Sequence, residues 1–168
     1  MNIDINKAIE DPINSLYKTL YIVWFIVFIL IFVTIGIHYV VYDIYKKSEG
    51  FYSSYDSLKY TFFILIFMSA GICLYLRKWR FSKQTAKLLK DWNNGQVKSF
   101  PYVEILEKYS INIILSIVLI ENSIAIGFIF SLLTRSVILF YISTIVSICL
   151  MVYCIPKKSE IKTLINYK

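Results

Sequence analysis

Four apolar stretches dominate this chain: Leu20 to Val41, Tyr60 to Leu76, Ile111 to Leu133 and Val137 to Ile155. A hydrocarbon layer of ~30 Å takes about 20 helical residues to cross, and the four stretches match that length. The second is the shortest, and Trp79 and Phe81 extend it into the headgroup layer, where aromatic rings are at home. Because lipid offers no hydrogen bonds to the backbone, such segments have to be helices. The prediction is an all-α integral membrane protein of four transmembrane helices forming a single domain over residues 1–168. Composition agrees: 58% of the residues are hydrophobic, 17% are charged, and mean hydropathy is +0.63, which together exclude an ordinary soluble domain. The first stretch is too long for the ~7 to 15 residue core of a secretory signal and has no basic leader or small-residue cleavage site before it. It is expected to be retained as a helix.

Charge placement sets the predicted orientation. The formal net charge is +7, and fourteen of the 18 Lys and Arg residues fall in the N-terminal segment, the second connection and the C-terminal tail. The first and third connections carry only Lys46, Lys47, Lys59 and Arg135. By the positive-inside rule both termini and the second connection face the cytoplasm, with the chain in a plasma (inner) membrane. Basic residues confined between apolar blocks point to anionic lipid headgroups as their partner and away from nucleic acid. The densest run is Arg77, Lys78, Arg80, Lys83, Lys87 and Lys90. It is read as a topology determinant and lipid contact; the other reading is a docking patch for a cytoplasmic protein.

The second connection, residues 77–110, continues helices on either side of it. Lys83 to Asp91 are good helix formers, Asn93-Asn94-Gly95 is a stop, and Ser99 and Pro101 mark a restart. A basic helical hairpin projecting into the cytoplasm is expected; fifteen residues at ~1.5 Å each would reach roughly 20 Å. Thr134-Arg135-Ser136 leaves so little chain between the third and fourth stretches that they must be antiparallel neighbours. The outer connection is rich in rings (Tyr42, Tyr45, Phe51, Tyr52, Tyr55, Tyr60), which suits an interfacial belt. At the front, Asp11-Pro12 reads as a helix start, with a separate short surface helix over Ile3 to Glu10.

Glu121 is the most informative single residue, since it falls near the midpoint of the third stretch. An acidic side chain at the bilayer centre costs roughly 3 kcal/mol on the mildest insertion scales, so such a position marks function. With Asn122 it forms a candidate intramembrane polar site, open to three roles: a structural hydrogen bond, a contact with another subunit, or ion and proton handling. At ~100° per residue Ser116, Ser123 and Gly127 share one stripe of the third stretch, with Glu121 and Ala125 nearly opposite. Ser143 and Ser147, aligned with Cys154, form a similar stripe on the fourth, and Ser69 with Cys73 on the second. Small stripes let helices approach closely, so these are the expected contacts of a four-helix bundle. Glu121 would then point to another helix or to a neighbouring subunit.

His38 shares a helix face with Thr34, Tyr42 and Tyr45, and reads either as a proton acceptor near the outer surface or as an interfacial histidine bonded to a tyrosine. Cys73, Cys149 and Cys154 lack metal-ligand or redox spacing and read as small packing residues. Trp79 is expected to anchor at the interface and Trp92 to pack at the hairpin tip. A lone histidine excludes multi-histidine metal and haem sites, and no phosphate-cradling glycine loop or catalytic triad spacing occurs. No cofactor, no metal and no enzymatic activity are expected.

The run Ile120-Glu121-Asn122-Ser123-Ile124-Ala125-Ile126-Gly127, with Pro156-Lys157-Lys158 after the next stretch, resembles the last hairpin of small four-helix prokaryotic membrane proteins. It also distantly resembles the proteolipid ring subunits of rotary ATPases, which carry a membrane-embedded glutamate near small residues. The resemblance covers only the third and fourth stretches, and implies an ion-binding role for Glu121. The chain differs in its few glycines and in its long basic connection. Three functions follow as expectations: a non-enzymatic subunit that assembles with itself or with other membrane subunits, a small channel or ion-handling protein using Glu121, and a membrane sensor or immunity-type protein acting through the basic hairpin.

Overall fold

The computed structural model describes residues 5–46, 55–96 and 101–160. Among them it is all helical, with α1 over Ile5–Lys46, α2 over Tyr55–Leu74, a six-residue π-helical turn over Tyr75–Arg80, α3 over Phe81–Asn93, α4 over Tyr102–Thr134 and α5 over Val137–Tyr153. Three helical stretches are long and apolar enough to cross a membrane: Asp11–Ile44, Leu58–Asn93 and Tyr102–Thr134. The 17 residues of α5 are equally apolar but shorter, about 26 Å at ~1.5 Å per residue. It stops at Tyr153 because Pro156 has no N–H to continue the ladder and disfavours helical backbone before it.

One expectation is corrected at the front of the chain. Asp11-Pro12 does not start a helix: α1 runs through it without a break, with Pro12 inside. Pro12 is the eighth residue of α1, past the four positions whose N–H groups are free, so its ring costs the helix the one backbone bond that its N–H would have made. The outer belt (Tyr45, Phe51, Tyr52, Tyr55) lies outside the residues whose side chains are described, as do Lys47, Lys98, Lys162 and Lys168.

Helix α4 is central and touches every other helix. Helices α1 and α2 each pack against both α4 and α5, while α3 and the π turn lie on the start of α4. The buried side of α4 recurs at three- and four-residue steps through Leu106, Tyr109, Ile113, Ser116, Ile120, Ser123 and Gly127. This is the knobs-into-holes spacing that keeps one seam against a partner. At Gly127 helices α4 and α5 are so close that an added Cβ would run into the Oγ and Cβ of Ser143. Ser116, Ser143 and Ser147 are fully buried, and Ser123 nearly so. Ser116, Ser123 and Ser143 donate to carbonyls of their own helix at 2.8, 2.9 and 2.8 Å, and Ser147 donates across to Ile120 O at 3.4 Å. Turned back on the backbone in this way, serine is as small as alanine and satisfied.

Among the hydrogen bonds that tie α1 to the pair, two reach backbone carbonyls. Trp24 Nε1 donates to Met151 O at 2.8 Å, and Tyr42 OH donates to Arg135 O at 2.6 Å. The second anchors the α4–α5 turn, where Arg135 takes a left-handed conformation (φ 50°) to reverse the chain over two residues.

Candidate functional site

The predicted polar pair sits on the outside of the molecule. Glu121 and Asn122 are both exposed, on the side of α4 opposite its buried seam. Asn122 lies within a second series of residues at three- and four-residue steps, Ile111, Leu115, Val118, Asn122, Ala125 and Ile129, every one exposed. Glu121 flanks that stripe beside Ile114, itself 44% exposed. Among the described residues no other helix covers either group, so Glu121 does not point to another described helix of this chain.

Burial separates the basic run. Lys78, Lys83, Lys87 and Lys90 are exposed and Arg80 is half-buried, but Arg77 is only 7% exposed and does not belong to a solvated patch. Its Nη2 lies 2.6 Å from Glu160 Oε2 and donates to Ile155 O at 3.3 Å, while the guanidinium carbon stands 5.3 Å from the centre of the Tyr109 ring. Tyr109 OH faces the same carboxylate at 3.4 Å and accepts the Lys157 N–H at 2.9 Å. Within the π turn Arg77 and its neighbour Leu76 both face inward. Arg77 therefore clasps the segment after α5 to the start of α3. Lys83 lies 5.5 Å from the centre of the Trp79 ring, an exposed cation–π contact consistent with an interfacial position for Trp79. Trp92 is half-buried at the end of α3.

Next to this clasp are two thiols whose proximity the sequence reading did not anticipate. Cys73 Sγ and Cys154 Sγ are both buried and 3.5 Å apart as free thiols, whereas Cys149 is exposed. The same end of the bundle holds Asn112, 3% exposed, whose amide donates to Gln84 Oε1 at 3.1 Å while its Oδ1 has no partner. Spacing could not have revealed these pairs, since Cys73 and Cys154 are 81 residues apart. A faint signal existed in Glu160, an acid within the otherwise basic tail.

At the other end, His38 is buried (3% exposed) and packs against rings. It stacks on Phe140 at 3.7 Å, meets the edge of Phe128 at 5.3 Å and lies 5.5 Å from Tyr42. Its hydrogen-bond partner is a serine and not the anticipated tyrosine: Nε2 lies 2.6 Å from Ser131 Oγ. Ser131 gives its own proton to Phe128 O at 2.8 Å, so Nε2 is the donor. Tyr42 is diverted to Arg135 O. A pocket of about 230 Å³ opens beside His38, with Asp43 and Tyr141 on its rim.

Among the described residues no three His, Cys, Asp or Glu side chains gather as metal ligands. The described residues offer instead a polar pair, Glu121 and Asn122, on an exposed and mostly apolar face of α4. Comparison with protein-family models, with curated proteins and with solved structures finds no match to this chain, so its function is argued from this geometry.

Proposed function

We propose that this chain is a non-enzymatic, multi-pass membrane subunit that assembles with copies of itself or with a larger membrane complex through the outer face of α4. In this reading α1, α2, α4 and α5 form a four-span bundle with both chain ends cytoplasmic. Helix α3 and the first turns of α4 make the basic hairpin outside the membrane. The positive-inside distribution supports that orientation.

One observation carries the proposal: the exposed stripe of α4 repeats the spacing of its buried seam and has Asn122, flanked by Glu121, at its middle. Apolar residues at this spacing form helix–helix seams, and a single polar residue within one fixes register and number of strands. Lipid tails cannot satisfy a carboxamide and a carboxyl group, whereas the same pair on a neighbouring helix can. Leaving them in lipid costs roughly 3 kcal/mol for the acid alone.

Gentle extraction followed by native mass spectrometry tests this. A fixed multiple of 19.7 kDa identifies a homo-oligomer, and additional masses identify partner polypeptides. Single copies with no companion overturn the proposal. Assembly should survive Glu121→Gln, which keeps a hydrogen-bonding side chain, and fail in the Glu121→Leu, Asn122→Leu double variant. Ion flux in proteoliposomes that stops with Glu121→Gln would instead make Glu121 the ion-handling group of a channel-like protein.

A further inference from the structure

The Arg77–Glu160 clasp forms one wall of a pocket of about 510 Å³, which Lys78, Phe81, Ser82, Tyr153 and Lys157 complete. That volume is in the range of small-molecule sites, roughly 300–1,000 Å³. Glu160 is occupied by Arg77, so the pocket keeps an excess of positive charge at Lys78 and Lys157, whose ammonium groups form no ion pair among the described residues. Ser82 adds an exposed hydroxyl. Its wall is held in place without a ligand: the clasp fixes Glu160, and the Lys157 N–H is bonded to Tyr109 OH.

A second cleft, of about 400 Å³, lies alongside and shares Lys78 and Tyr153 with the first. Its remaining walls are Leu74, Tyr75 and Trp79. Leu74 is four residues before Lys78, one helical turn nearer the apolar body of α2. The two clefts together make an amphipathic channel: a basic chamber beside the first turns of α3, continuing into an aromatic and aliphatic groove between α2 and the end of α5.

We infer that this double cleft binds one anionic phospholipid, with the phosphate between Lys78, Lys157 and Ser82 and the glycerol and first acyl methylenes along Tyr153, Tyr75 and Leu74. The inference depends on the reading of the chain as spanning the membrane, but not on its assembly. Charge complementarity selects an anion, and the apolar groove selects a ligand with a tail: a water-soluble phosphate ester would leave Leu74, Tyr75 and Trp79 unused. The site goes beyond the general attraction of basic residues to a negative leaflet, because Lys83, Lys87 and Lys90 carry the same charge on α3 and line neither cleft.

The test is native mass spectrometry of the full chain released from nanodiscs of phosphatidylcholine, with and without phosphatidylglycerol. The expected result is one retained phosphatidylglycerol, with affinity reduced roughly thirtyfold in the Lys78→Gln, Lys157→Gln double variant, taking about 1 kcal/mol per lysine near an anionic surface. Lys87→Gln, Lys90→Gln should retain lipid as the parent does, and Lys78→Arg, Lys157→Arg should restore binding if the glutamine variant folds poorly. Equal retention of phosphatidylcholine, or an equal loss in the α3 variant, overturns the site. So does complete displacement by millimolar inorganic phosphate, which would identify a simple anion pocket. A single copy holding one lipid would sink the assembly proposal and leave this one standing; an oligomer without lipid would do the reverse.

Discussion

The two faces of α4 carry polar side chains in comparable number, yet their hydrogen bonds end in different places. On the buried face Ser116 and Ser123 bond their own helix, Ser147 reaches Ile120 O from α5, and Asn112 donates to Gln84. On the exposed face Glu121 and Asn122 are uncovered by any described helix. A buried polar group without a partner costs about 1–3 kcal/mol, and apart from Asn112 Oδ1 these inner groups are satisfied within the chain. The outer face has the same helical spacing, and in the proposed assembly a second surface would close it.

The comparison can be broken most severely from the inside. Gly127→Leu should separate α4 from α5, because even a Cβ there meets Ser143. Overpacking of this kind costs typically 1–3 kcal/mol and sometimes more, and thermal unfolding in detergent should show the largest loss of any single change. Glu160→Ala comes next: it leaves a buried guanidinium without its carboxylate. Breaking a buried pair costs about 3–5 kcal/mol, and the partial exposure of Glu160 (37%) reduces the expectation to about 2 kcal/mol. His38→Phe keeps the ring stack and deletes the bond to Ser131, for about 1 kcal/mol by the same measurement. The smallest change should have the opposite sign. Thr144 Oγ1 is buried with no partner, so Thr144→Val should stabilise the chain by up to about 1 kcal/mol. On the outer face the contrast sharpens: Glu121→Leu with Asn122→Leu should leave the stability of the single chain unchanged or higher while abolishing assembly.

Much of the helical layout was legible from local pattern. The Asn93-Asn94-Gly95 stop, the restart after Pro101 and the turn at Arg135 coincide with helix ends because each is set by backbone chemistry within a few residues: Gly95 takes φ 72° and Arg135 takes φ 50°. The serine stripes were legible for the same reason, as helical periodicity places them without reference to the rest of the fold. What escaped depends on distant parts of the chain. Arg77 belonged to a basic run by composition, and only a carboxylate brought back by the tail takes it out of that run. His38 and Ser131 are 93 residues apart, and nothing local distinguishes the serine from the tyrosine one turn along. Pro12 misled because the Asp-Pro pair is a strong start signal in isolation, whereas here the helix had already begun at or before Ile5.

The bond between Trp24 and Met151 carries a consequence for the order in which the molecule is made. Its two partners are 127 residues apart, so when the ribosome releases α1, that helix has no acceptor for its indole and must wait until Met151 has been synthesised. Helices α4 and α5, separated by two residues, can meet as soon as both exist. Helix α1 is thus made before the partner that pins its indole, and a chain truncated before Met151 would keep α1 while losing that acceptor.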